Sequence, residues 1–72
     1  MTNTELLKQK IEESGIKLGV IAEKLGIVRS SLWSKINGKT QFNQYEINKL
    51  CELLNIKTLA NKEAIFFAKD VN

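Results

Sequence analysis

The sequence predicts an all-α protein, a compact bundle of about five short helices, and three features predict it. Apolar residues recur three or four positions apart in one segment after another and nowhere alternate over the length of a strand. Proline is absent, so glycine and asparagine carry the punctuation, at helix-length intervals. The 43% hydrophobic and 26% charged content is that of a globular chain and not of a disordered one. At 72 residues the chain makes one domain, residues 1–72. So short a chain buries only about 60% of its unfolded surface, and its core must use most of the apolar side chains available.

Each element follows from its own residues. Thr2-x-x-Glu5 reads as a capping box for a first helix over about Asn3–Ser14, with Leu7 and Ile11 on one face. Gly15 is placed to end it in the left-handed region, and Ile16 to fold back onto the helix end. A second helix is expected over Leu18–Leu25, with Ile21 and Leu25 on one stripe, Val20 flanking it and Gly26 stopping it. A third runs from about Val28 to Asn37, with Leu32 and Ile36 inward. Asn37-Gly38-Lys39-Thr40 then makes a turn, and its non-alternating flanks argue against a hairpin. The fourth helix, about Asn43–Leu54, has the clearest amphipathic period in Ile47, Leu50, Leu53 and Leu54, with Cys51 beside them. Asn43 caps it, and Glu46 completes an Asx form of the capping box. The last helix is expected to start near Asn61 as its cap, with Glu63 in the first turn and Ile65 and Phe66 inward. Phe66 and Phe67 stand ~100° apart on a helix, so one belongs to the core and the other is a candidate dimer contact.

Composition excludes several functions. The longest apolar run, Ala64–Ala68, is far short of the ~20 residues that cross a bilayer, and the N-terminus has no apolar stretch beyond Leu6-Leu7, so no secretory signal is expected. A lone cysteine, Cys51, forms no internal disulfide and fits a reducing cytoplasm; it reads as a small buried hydrophobe. With no histidine and one cysteine, neither a zinc site nor the usual general base is expected. No enzyme activity, cofactor, metal or small-molecule substrate is therefore anticipated.

Charge is distributed unevenly. Residues 1–40 hold the whole net +3, and residues 41–72 are balanced. From Lys24 to Lys39 there are four cations, Lys24, Arg29, Lys35 and Lys39, and no anion. Such a stretch in a small domain is either a solvated face or the electrostatic footprint of a nucleic-acid binder. Geometry favours the second. Helices joined as tightly as the second and third must cross steeply, at roughly 90–120°. Ala22 supplies the small residue at the crossing and Gly26 the sharp turn, while Ile21, Leu25, Ile27 and Leu32 close the apolar corner. The outer face of the third helix is then free to enter a major groove ~12 Å wide.

The stretch Leu18–Ile27, followed by Arg29-Ser-Ser-Leu-Trp-Ser-Lys-Ile-Asn-Gly-Lys39, resembles the lambda-repressor/Cro-like, or XRE, helix-turn-helix family, and most of all its short phage- and prophage-type branch. The resemblance places the helix-turn-helix at about 18–37. It extends through Phe42, Glu46-Ile47, Leu50–Leu54 and the Ile65–Ala68 tail. It implies a DNA-binding protein, a small transcriptional regulator or repressor acting as a homodimer in the cytoplasm. The family's base-reading positions fall on Arg29, Ser30 and Ser34, with Trp33 on the same side. Asn37 and Lys39 match its phosphate-contacting turn, and Lys17 and Lys35 are further phosphate candidates. The chain departs from the pattern at Lys17 and Leu18, where relatives place a Ser/Thr cap and a glutamine, so no glutamine contact transfers. Val28 replaces the usual serine, and Lys35 stands at a core aliphatic position whose duty passes to Ile36.

Other readings stand beside these. Arg29 has the fork to hold guanine O6/N7 but also pairs well with a surface glutamate. Trp33 either covers Ile36 and the Asn37-Gly38 turn or touches a thymine methyl or a sugar. The rival function is a protein–protein adapter or antitoxin on the same fold, which has no need of an acid-free cationic stretch.

Overall fold

The computed structural model describes residues 1–68; Lys69 and Asp70, counted in the charge balance, lie outside the described residues. Five helices follow in order: α1 Thr4–Ser14, α2 Leu18–Leu25, α3 Arg29–Ile36, α4 Gln44–Leu53 and α5 Leu59–Phe66. α2 packs on both α3 and α4, and α1 packs on α3 and α5. The core between them is Leu7, Ile11, Ile21, Ala22, Leu25, Leu32, Ile36, Ile47, Leu50, Cys51, Leu54, Ile65 and Phe66, the inner faces that the spacing predicts. Two loop residues join it, Phe42 and Ile56. Phe42 meets Phe66 edge to face at 6.0 Å, which ties the α3–α4 loop to the last helix. Phe67 is left 51% exposed, so Phe66 is the core member of the pair.

The helix ends show why the boundaries fall where they do. Asn3, and not Thr2, caps α1: its side chain accepts from the Leu6 N–H at 3.1 Å. The Asn3 N–H donates to the Ile65 carbonyl, binding the first helix to the last. Asn43 and Glu46 form the expected capping box on α4. The cap of α5 lies three residues earlier than the sequence suggests: Thr58 Oγ1 accepts from the Asn61 N–H at 3.1 Å. Asn61 is thus the third residue of that helix and not its cap.

α2, α3 and α4 each finish in a Schellman motif, with the residue after the left-handed one donating five positions back: Ile27 to Ala22, Lys39 to Ser34 and Ile56 to Cys51. The left-handed residues are Gly26, Gly38 and Asn55. Asn55, at φ 59°, does without glycine what the others do with it. Left-handed backbone crowds any Cβ, and asparagine tolerates it better than alanine does. Asn55→Gly is therefore expected to raise stability by about 0.5 kcal/mol, and Asn55→Ala to lower it by about 1 kcal/mol. Urea midpoints at unchanged m-value check both signs.

Candidate nucleic-acid interface

The α2–α3 corner is built as a close crossing. Ala22 is buried against the neighbouring helices, and Ile27 packs on the core immediately after the Gly26 turn. Ala22→Leu is expected to overpack this crossing and to cost about 1–3 kcal/mol, read as a lowered thermal midpoint. With Leu32 and Ile36 turned inward, the opposite side of α3 is left to solvent. Arg29, Ser30 and Trp33 are exposed on it, and Ser34 is half-buried beside them. Arg29 and Trp33 are four residues apart and Ser30 and Ser34 likewise, so the outer face carries two adjacent rows. Trp33 does not cover the core: it is 55% exposed. Arg29 makes no ion pair among the described residues.

α2 and α3 differ from the other helices at their N-termini. Side chains cap α1, α4 and α5 through Asn3, Asn43 and Thr58, whereas Lys17 and Val28, which precede α2 and α3, make no capping hydrogen bond. Both helices thus leave first-turn N–H groups, at the positive end of the helix dipole, without a side-chain partner. Lys17, Leu18, Gly19, Val20, Glu23 and Arg29 line one open groove of about 560 Å³ between them. Glu23 is the single anion in that lining, and sequence reasoning gave it no role. Its position on the outer face of α2, away from the Ile21–Leu25 stripe, is the signal that marks it.

Lys35 is a correction. Expected as a phosphate contact, it is instead held inside the fold: its Nζ donates to Glu46 Oε1 at 3.0 Å and to the Gln41 carbonyl at 2.9 Å. It also sits 5.9 Å above the Phe42 ring. Only 17% of the Lys35 side chain and 5% of that of Glu46 reach solvent. The same Glu46 oxygen accepts from the Asn43 N–H at 2.9 Å, so one carboxylate anchors α3 and caps α4. Asn37 is also engaged, its amide donating to the Trp33 carbonyl at 2.8 Å to close the last turn of α3. Lys39 and Lys17 are exposed and unpaired among the described residues. The cations free to meet an anionic partner near α3 are therefore Lys17, Arg29 and Lys39, with Lys24 further along α2.

Cys51 lies buried on the inner stripe of α4, and burial pushes its thiol above the ordinary range, partly offset by the nearby Lys62 ammonium. A thiol so placed is a poor nucleophile at neutral pH. No group of three or more metal-binding side chains occurs among the described residues, and no helix there is long and apolar enough to cross a membrane. Comparison with protein-family models, curated proteins and solved structures finds no match to this chain.

Proposed function

We propose that the chain binds double-stranded DNA in a sequence-specific manner as a small homodimeric transcriptional regulator of the repressor type, with α3 in the major groove. The observation that carries this reading is the outer face of α3. An eight-residue helix, about 12 Å long, exposes a free arginine, a serine and a tryptophan within a stretch that has four cations and no anion. The uncapped starts of α2 and α3 support it, since backbone N–H groups at helix N-termini are natural partners for phosphate oxygens. Lys17, which lines the groove with Arg29, and Lys39, exposed just past the end of α3, would supply phosphate neutralisation, while Arg29, Ser30, Trp33 and Ser34 would meet base edges. The resemblance to the Cro-like family points the same way. In this reading the protein works in a reducing cytoplasm, associated with DNA, and needs no cofactor.

A homodimer belongs to this reading because one short helix reaches only a few base pairs, and two half-sites about one turn apart supply the rest of the specificity. Of the Phe66–Phe67 pair, Phe67 is the one exposed and available for that contact, since Phe66 is part of the core.

Trp33 is the sole tryptophan, so its emission reports the proposed interface directly. Titration with duplex DNA at low salt is expected to change that emission saturably. An emission unaltered by excess duplex overturns the reading. The salt dependence adds a residue-level result. Lys17→Ala and Lys39→Ala are each expected to lower the slope of log affinity against log salt by about one. Lys35→Met should leave the slope as it is, because that ammonium is already paired within the fold.

A further inference from the structure

We infer that Trp33 makes α3 a reader of thymine methyl groups, so that the preferred duplex carries a thymine within about two base pairs of the guanine met by Arg29. The inference rests on the DNA-binding reading above and specifies its target.

Three large apolar side chains of α2, α3 and the turn between them stand out of the core, Val20 at 42%, Val28 at 66% and Trp33 at 55% exposure. They bracket Arg29 in sequence, and the surrounding stretch from Lys24 to Lys39 has no anion. A purely apolar protein partner gains nothing from that charge, whereas a polyanion with an apolar feature in its groove matches both properties. The major groove of DNA offers one apolar group, the C5 methyl of thymine; its other base-edge groups are hydrogen-bond donors and acceptors. Spacing then limits where the methyl lies. Arg29 and Trp33 share a face four residues apart, about 6 Å along the helix axis. Base pairs stack about 3.4 Å apart, so a helix lying along the groove sets the two contacts within about two base pairs of each other.

The test uses the full-length protein and a duplex selected from a random library, with affinities measured at one salt concentration. Each thymine of the selected site is replaced in turn by deoxyuridine, which pairs identically but lacks the methyl. One or two positions are expected to lose about fourfold in affinity, the cost of leaving one methyl-sized apolar contact unmade. The loss should vanish in Trp33→Ala and persist in Trp33→Phe, which keeps an apolar ring. Both variants change an exposed position, and their helicity is checked against the parent. If the selected duplex outcompetes scrambled DNA but no uridine substitution matters, the methyl inference falls and the DNA reading stands. A uridine penalty that survives in Trp33→Ala overturns the assignment to Trp33. If no duplex outcompetes scrambled DNA, sequence-specific reading itself fails and this inference with it.

Discussion

Glu46→Ala is expected to destabilise the fold by about 3 kcal/mol. A single carboxylate oxygen there accepts from the Lys35 ammonium at 3.0 Å and from the Asn43 backbone at 2.9 Å. Removing it leaves a lysine that is 17% exposed with only the Gln41 carbonyl, and leaves a helix N-cap half-made. Breaking one side of a buried ion pair costs about 3–5 kcal/mol, and the residual solvent access of Lys35 sets the lower figure here. A domain of this size holds about 4–11 kcal/mol in total, so the loss is a large share. It should appear as a drop of about 12–24 °C in Tm. Two further variants separate the contributions. Glu46→Gln keeps a side chain able to serve the capping box, and should cost less than alanine. In a Lys35→Met background the penalty for Glu46→Gln should shrink further, since no ammonium is left unpaired; additive losses would show that the two side chains do not couple. Because the pair also fixes the loop that carries Lys39, Glu46→Ala should weaken DNA binding even at temperatures where the protein stays folded.

That pair marks where sequence reading stops. The capping box of Asn43 and Glu46 is legible because its partners lie three residues apart, and local chemistry alone specifies it. The bond from Lys35 to Glu46 spans eleven positions, and nothing short of the packed fold brings them together. In one dimension Lys35 looks like a member of a cationic run; in three it is an internal strut over Phe42. The helix ends divide in the same way. Gly26 and Gly38 announce their left-handed turns by residue type, whereas Asn55 does the same work at a position that asparagine occupies less often. At the start of α5 the sequence reading rests on Asn61, whereas Thr58, a residue type equally suited to the position, is the cap in the fold. The outer face of α3 is read correctly as exposed, because Leu32 and Ile36 determine which side turns inward. Whether Trp33 packs or protrudes is not settled by spacing, since a tryptophan is long enough to fold back. In the fold it protrudes, 55% exposed.

The division of labour on α3 follows from these placements. Its inner face and Lys35 fix the helix in the fold, while its outer rows carry little internal duty: Asn37 closes the last turn, and Arg29, Ser30 and Trp33 are left free. Substitutions on the outer rows should therefore change binding without changing stability. Those on the inner side should change both. This separation makes the role of Arg29 measurable.

Arg29→Lys is expected to reduce affinity for the preferred duplex by about 1–3 kcal/mol while leaving affinity for scrambled DNA nearly unchanged. Arg29 is the only arginine in a chain with ten lysines, and it stands at the first position of α3, exposed and without an ion-pair partner among the described residues. A guanidinium presents a planar fork that matches guanine O6 and N7 with two parallel hydrogen bonds; an ammonium is a point charge with no such geometry. The substitution preserves charge, so the phosphate contribution common to all sequences is retained. Glu23, which lines the same groove, sharpens the comparison. If Arg29 turned to pair with that carboxylate instead of with a base, Glu23→Gln would weaken the folded protein slightly and leave sequence preference intact. If the arginine reads a base, Glu23→Gln should tighten binding to both duplexes alike, by removing an anion from the approach of the phosphate backbone. The measurement is a pair of titrations at one fixed salt concentration, on selected and scrambled duplex, for the parent and each variant. Equal small losses on both duplexes for Arg29→Lys would reduce Arg29 to another phosphate contact. Specificity would then rest with Ser30, Trp33 and Ser34. A loss confined to the selected duplex assigns the base contact to the one side chain on this face whose fork fits guanine.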